Sequence, residues 1–149
     1  MVETITYDAV EDMITELSTA WDAGTNSAGA KPRIREVWNV KVVGFGGGKA
    51  EEIIITPRDE IIKPFQLHGD TYWHKLPMEI DIRVFSSVRR LNTIVDEVER
   101  IVKNMIRRDQ QGFTQVVITA SKTKVPEYRN VFRHIIYLTY EAAKAHTFV

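Results

Sequence analysis

The chain has no cysteine among its 149 residues. That excludes a disulfide framework, a thiolate nucleophile and any cysteine-ligated metal site, and it suits a reducing compartment or a particle held together by assembly. Long apolar runs are missing as well. The longest stretch of apolar residues is a few positions, far below the roughly 20 that a membrane-spanning helix needs, so the expectation is a soluble protein with no membrane partner. The N-terminal Met-Val-Glu-Thr-Ile-Thr has no basic region followed by an apolar core, and so does not read as a secretory signal. There is no internal repeat and no low-complexity tract. What is present is 44% hydrophobic residues, enough to build an adequate core for a single α+β domain over residues 1–149.

Net charge is also absent, with 20 basic and 20 acidic residues, but the balance is uneven along the chain. Residues 1–30 hold six acids and no Lys or Arg, whereas residues 86–149 hold eleven bases and six acids. Acidic and basic parts can meet within one fold or between copies, and charge asymmetry speaks to association more than to fold. A neutral chain does not oppose such packing by self-repulsion.

Residues 77–108 carry the clearest pattern. Met78, Ile80, Ile82 and Val84 alternate with Glu79, Asp81 and Arg83, which predicts a strand over 78–85 with one core face and one charged face. After Ser86-Ser87 the period becomes helical, with Val88, Leu91, Val95, Val98, Val102 and Met105 on one stripe over about 87–108 and i,i+4 pairs Asp96/Arg100 and Glu99/Lys103. Upstream, Thr6 is the expected N-cap of a helix over about 7–22, with Val10, Met13, Ile14, Leu17 and Trp21 on its apolar side and Gly24 as its stop. A strand over 33–44, a glycine-rich turn at Gly44–Lys49 and a return strand at Glu52–Thr56 read as a hairpin. Strands at Phe113–Ala120 and Val131–Tyr140 close the chain. The expected fold class is α+β: a mixed, mostly antiparallel sheet with two helices on one face, in the order α-β-β-β-α-β-β.

Residues 57–76 resist assignment. Pro57, Pro64, Gly69 and Pro77 punctuate them, yet Phe65, Leu67, Tyr72 and Trp73 make them too apolar for an idle linker, and long loops in compact domains are usually functional.

The motifs that would carry chemistry fall short of their templates. Gly44–Lys49 lacks the Ser/Thr and the helix that a phosphate loop requires, because Lys49 is followed by Ala50 and a strand. His68 and His74, with Asp70 between them, match no standard metal spacing. Asp59, Glu79, Asp81 and Arg83 faintly resemble a metal-dependent nuclease, but such sites want Glu-x-Lys where this chain has Asp81-x-Arg83, and arginine does not lose its proton. The basic residues of the C-terminal half, from Arg89 and Arg90 to Arg129 and Arg133, are interleaved with acids and do not alternate with aromatics as in single-strand binders. The expectation is therefore a non-enzyme with no metal and no cofactor, for which direct nucleic-acid contact is the weaker reading. The candidate interface residues are Glu11, Asp12 and Glu16 on the first helix, Phe65, Tyr72 and Trp73 in the aromatic segment, and Glu79, Asp81 and Arg83 on the charged strand face.

Three features together resemble the tail-terminator (tail-completion) proteins of long-tailed phages and archaeal tailed viruses. They are the acidic amphipathic helix at Tyr7–Trp21, the Met78–Val84 strand feeding the Val88–Arg108 helix, and the terminal strand with Arg133-His-Ile-Ile-Tyr-Leu-Thr-Tyr140. The resemblance rests on element order and length over nearly the whole chain. It implies a homohexameric ring that caps the tail tube and joins it to the neck or head at the tail–neck junction of the virion, assembled in the host cytoplasm. Its implied partners are further copies of the chain, a tail-tube protein and a neck or head-completion protein. The family has no catalytic residues to carry over. The alternative reading is a nucleic-acid-associated protein, either a binding module or a metal-dependent nuclease.

Overall fold

A computed structural model describes residues 4–22, 29–36, 51–64, 71–85, 87–107, 115–124 and 131–145, apart from the side chains of Ile106, Arg107, Lys124 and Ala145. Its elements are α1 (Thr6–Thr19), β1 (Arg33–Glu36), β2 (Glu51–Pro57), β3 (Ile61–Pro64), β4 (Thr71–Phe85), α2 (Val88–Arg107), β5 (Gln115–Lys124) and β6 (Val131–Ala145). The strands form one six-stranded sheet in the order β1-β2-β4-β6-β5, with β3 beside β2 on the same edge of β4. Every pairing is antiparallel except β1 with β2. The fold class is α+β, as the patterning indicates, with one strand more than expected: the order is α-β-β-β-β-α-β-β.

The alternation of β4 decides where the core lies. Leu76, Met78, Ile80, Ile82 and Val84 face the helices and are at most 2% exposed. Their register partners Ile53 and Ile55 on β2 and Ile136 and Leu138 on β6 extend the same apolar layer across the sheet. The α2 stripe (Leu91, Ile94, Val95, Val98, Ile101, Val102, Met105) and the α1 stripe (Ala9, Val10, Met13, Leu17, with Ile14 partly buried) close over it in one cluster. Trp21, two residues past the end of α1 and not on the helix as expected, packs against it partly buried. Each fully buried aliphatic side chain of this kind contributes about 1.5–3 kcal/mol relative to exposure. Both helices share one face, as their apolar stripes require.

Several details differ from the sequence reading. Residues 33–36 and 51–57 run parallel, so they are not the two arms of a hairpin, and the Gly44–Lys49 turn lies outside the described residues. The segment read as unassigned holds β3 and the first six residues of β4, so Tyr72 and Trp73 sit on a strand, not in a loop. Between Pro57↔Met78 and Ile61↔Lys75, three residues on one side oppose two on the other. That one-residue excess is a bulge; it breaks the strand line at residues 58–60 and conceals its continuity from a period-two search.

The ends of α1 are anchored by distant residues. Thr6 is not the N-cap. Ile5 holds that position without a side-chain cap, and the Glu60 carboxylate accepts from the Ile5 N–H at 2.9 Å and the Thr6 hydroxyl at 2.7 Å. A carboxylate suits the positive end of the helix dipole. At the other end, Arg100 pairs with Glu97 and not with Asp96, and donates to the Ala20 carbonyl at 2.7 Å while Glu97 accepts from the Asp22 N–H at 2.7 Å. The Arg100 guanidinium holds the Glu97 carboxyl below its ordinary value against the opposing effect of burial. Glu99 and Lys103 pair at 3.7 Å as expected. Gly29 follows with φ +72°, a left-handed conformation that glycine adopts freely, and its carbonyl accepts from the Trp21 indole at 3.0 Å.

Candidate interaction surface

The face of the sheet away from the helices is built from the second parity of each strand. Its register runs Arg33–Glu52–Arg83–Arg133 straight across β1, β2, β4 and β6. The next row runs Arg35–Ile54–Asp81–Ile135 and ends on β5 at Lys122. Arg83 and Arg133 stand directly opposite one another, an arrangement that like charges disfavour. Asp81 resolves it from one row along. It accepts from Arg83 at 3.2 and 3.0 Å and from Arg133 at 3.3 and 2.7 Å. Glu52, fully buried, accepts from Arg35 at 3.3 and 2.9 Å with Arg33 at 3.9 Å.

The charged face expected for β4 is there, but at Asp81 and Arg83 it is not solvated. Asp81 and Arg83 are 6% and 8% exposed, and Ile54 and Ile135 lie among them, both buried. The alternation was right, but on the inner strands the charges form a buried, mutually satisfied network. Such a network contributes little net stability when complete and becomes costly when one partner is removed. Five cations (Arg33, Arg35, Arg83, Arg133, Lys122) stand against two carboxylates in these two rows, so the face is cationic.

The predicted site residues fall in different places. Glu79 is half-buried and pairs with Arg58 at 2.7 Å. Tyr72 and Trp73 are half-buried on β4, and Phe65 lies outside the described residues. Glu11 is exposed on α1, whereas Asp12 turns inward and accepts from the fully buried Tyr140 hydroxyl at 2.9 Å. Burial first, and then the Asp12 charge, push the Tyr140 phenol well above its ordinary value. Glu16, half-buried, lies near enough to act on the same phenol. The structure thus gathers Asp81 and Arg83 with Arg133, and leaves Glu11 at the surface.

The nuclease template meets a chemical obstacle here. The carboxylates that would receive a divalent cation, Asp81 and Glu79, are each held by guanidinium groups. Among the described residues no three His, Asp or Glu side chains gather to hold a metal ion, and no helix is long and apolar enough to cross a membrane.

Two polar clusters escaped the sequence reading. His74, expected in a loop, is fully buried on β4 with Nδ1 2.7 Å from the Glu60 carboxylate, the same group that caps α1. On β6, His134 meets Ser121 through Nε2 and Thr123 through Nδ1, and Ser121 donates to Glu99 of α2 at 3.3 Å. Burial lowers the His134 pKa, partly countered by Glu99. The signal for this second cluster is a bulge at Thr119: register shifts between Ile118 and Ala120, turning Ser121 and Thr123 toward the helices and Lys122 to the opposite face. Without the register, Ser121 and Lys122 cannot be assigned to faces.

No family model matches the chain, and no curated protein matches it significantly.

Proposed function

We propose that the chain is a structural assembly protein, the subunit of a homo-oligomeric ring, most simply a hexamer, that caps a viral tail tube and joins it to the neck or head. The observation that carries this reading is the charge polarity across the sheet. One face bears α1, with Asp8, Glu11, Asp12 and Glu16 and no base, beside the mixed-charge α2; on the other, two adjacent rows set five arginine and lysine side chains against two carboxylates. Copies stacked head to tail satisfy both surfaces, and a heterologous contact of that kind generates a ring when its rotation closes. The α+β class and the acidic first helix agree with the sequence's resemblance to the tail-terminator proteins. In this reading the role is structural, not catalytic, and the partners are further copies, the tail-tube protein and the neck or head-completion protein.

The test is mass by light scattering, alone and with the tail-tube and neck proteins encoded beside this chain. A ring-sized mass, or stoichiometric capture of the tube protein, supports the proposal. A chain that stays monomeric at high concentration and binds neither protein sinks it.

The second reading, a nucleic-acid-binding module, draws on the same arginine row. Phosphate contacts weaken steeply as salt rises, so a gel shift with duplex DNA that fades with salt would favour it.

A further inference from the structure

The cationic face is not uniform. Toward β2 and β4 it is buried, but at the β5 edge Val117 is 38% exposed and Ala120 and Lys122 are exposed beside it. The bulge at Thr119 puts these three side chains on one face: Val117 pairs with Thr139, Ala120 with Tyr137 and Lys122 with Ile135. On the helix side, α1 exposes Tyr7 to 75%, the most exposed large hydrophobic of the described residues, with Asp8 and Glu11 exposed next to it. Asp8 is paired with Lys144 at 3.5 Å, which leaves Glu11 as the carboxylate beside Tyr7, so each patch joins an apolar element to an exposed charge, and the two charges are opposite.

The spacings also agree. Tyr7 and Glu11 are one helical turn apart, about 6 Å along the axis. Ala120 and Lys122 are two residues apart on one strand face, about 6.6 Å. A helix laid along the strand sets the Tyr7 ring over Val117 and Ala120 and the Glu11 carboxylate over Lys122. We infer that the β5 edge of the outer face is the docking surface for α1 of a second copy, with Tyr7 as the apolar anchor and Glu11–Lys122 as the pair that fixes register. This rests on the assembly reading above and names the contact within it. Aromatic side chains supply most of the energy in such contacts, while the charge pair contributes orientation and selectivity. Because α1 and the outer β5 edge belong to opposite faces of the sheet, the contact is heterologous and leaves both patches free at the ends of an open assembly.

The experiment is a charge swap. Glu11→Lys and Lys122→Glu are made singly and together, with Tyr7→Ala as a third variant, and self-association is measured by sedimentation at low and high salt. Far-UV circular dichroism and melting temperature should match the parent, since all three positions are exposed. Each single reversal should weaken association roughly tenfold at low salt and less at high salt, and the swap should recover most of the loss. Tyr7→Ala should weaken it at either salt. Single reversals without effect in a protein that does associate, or a swap that restores nothing, overturn this contact while leaving the ring itself standing. A parent that never associates, alone or on the tube protein, overturns the contact and the assembly reading together.

Discussion

Asp81→Ala removes the one carboxylate that holds Arg83 and Arg133 together. The wild-type side chain receives four guanidinium hydrogen bonds between 2.7 and 3.3 Å and is 6% exposed. Its loss leaves two arginine side chains, 9% and 17% exposed, opposite one another on adjacent strands. Breaking a buried pair by removing one partner costs about 3–5 kcal/mol, because the remaining charge stays buried and loses that compensation. For a chain of this length each kcal/mol moves the melting temperature by about 2–4 °C, so the expected fall is about 6–20 °C. The assay is urea unfolding with an unchanged slope, repeated at low and high salt; a buried pair is screened far less than a surface pair, so the loss should persist. Asp81→Asn, which keeps an acceptor but not the charge, should cost less, about 1–3 kcal/mol. Replacing Asp81, Arg83 and Arg133 together by Leu and Met should be nearly neutral for stability. An Asp81→Ala protein within about 1 kcal/mol of the parent would show that these groups are solvated, and the account of the outer face would be wrong.

Other perturbations read other parts of the fold. Glu60→Ala takes the cap from α1 and the partner from buried His74, at an expected cost of about 2–4 kcal/mol; hydrogen exchange should speed up in the first turn of α1, and unchanged exchange there would refute the remote cap. Val98→Asp buries a lone carboxylate at a fully enclosed core position and should cost roughly 4 kcal/mol or more; a soluble variant that melts like the parent would remove α2 from the core. His134 is titrated by acid with a predictable sign. Burial holds its folded pKa below the unfolded value, so the unfolded chain binds the proton more readily, and the associated stability is full above about pH 6.5 and is lost as pH falls below it. His134→Gln should therefore lose less melting temperature than the parent between about pH 7.5 and 5.5; equal losses would contradict the assignment.

The core was legible because its signals are local. Period two in Met78–Val84 and period 3.6 in Leu91–Met105 each name the buried face without reference to any other element, and both hold in the structure, whereas Val88, read into the same stripe, is 50% exposed at the start of α2. What failed to read were the features set by register. β3 was hidden because a one-residue excess at 58–60 separates it from β2, and the start of β4 because Pro77, inside the strand, read as its boundary. The hairpin over 33–56 was inferred from adjacency in sequence, yet β1 lies parallel to β2. Thr6 was a good local candidate for a cap, but the helix dipole is met by Glu60, 54 residues away, and no window around the helix start contains that information. The Asp96/Arg100 pair had correct helical spacing; Glu97 won because it also reaches the Asp22 N–H and so is held in place from both sides.

The charged face shows why alternation alone under-determines a surface. Glu79, Asp81 and Arg83 satisfy a polar pattern equally well whether water or other strands receive them. The deciding quantity is what stands at the same register on the neighbours. Arg83 has Glu52 on one side and Arg133 on the other, and Asp81 has isoleucines on both. Only a carboxylate one row away from two facing arginines can neutralise both at once, so Asp81 is drawn inward as a bridge, while Glu79, facing Thr56 and Tyr137, stays half-exposed and pairs with Arg58. The same logic divides α1. Asp12 faces Tyr140 and is committed to the fold, so a triple reversal at Glu11, Asp12 and Glu16 would confound unfolding with lost association. Of the three acids, Glu11 is the one on which an assembly experiment can rest, because its side chain is exposed.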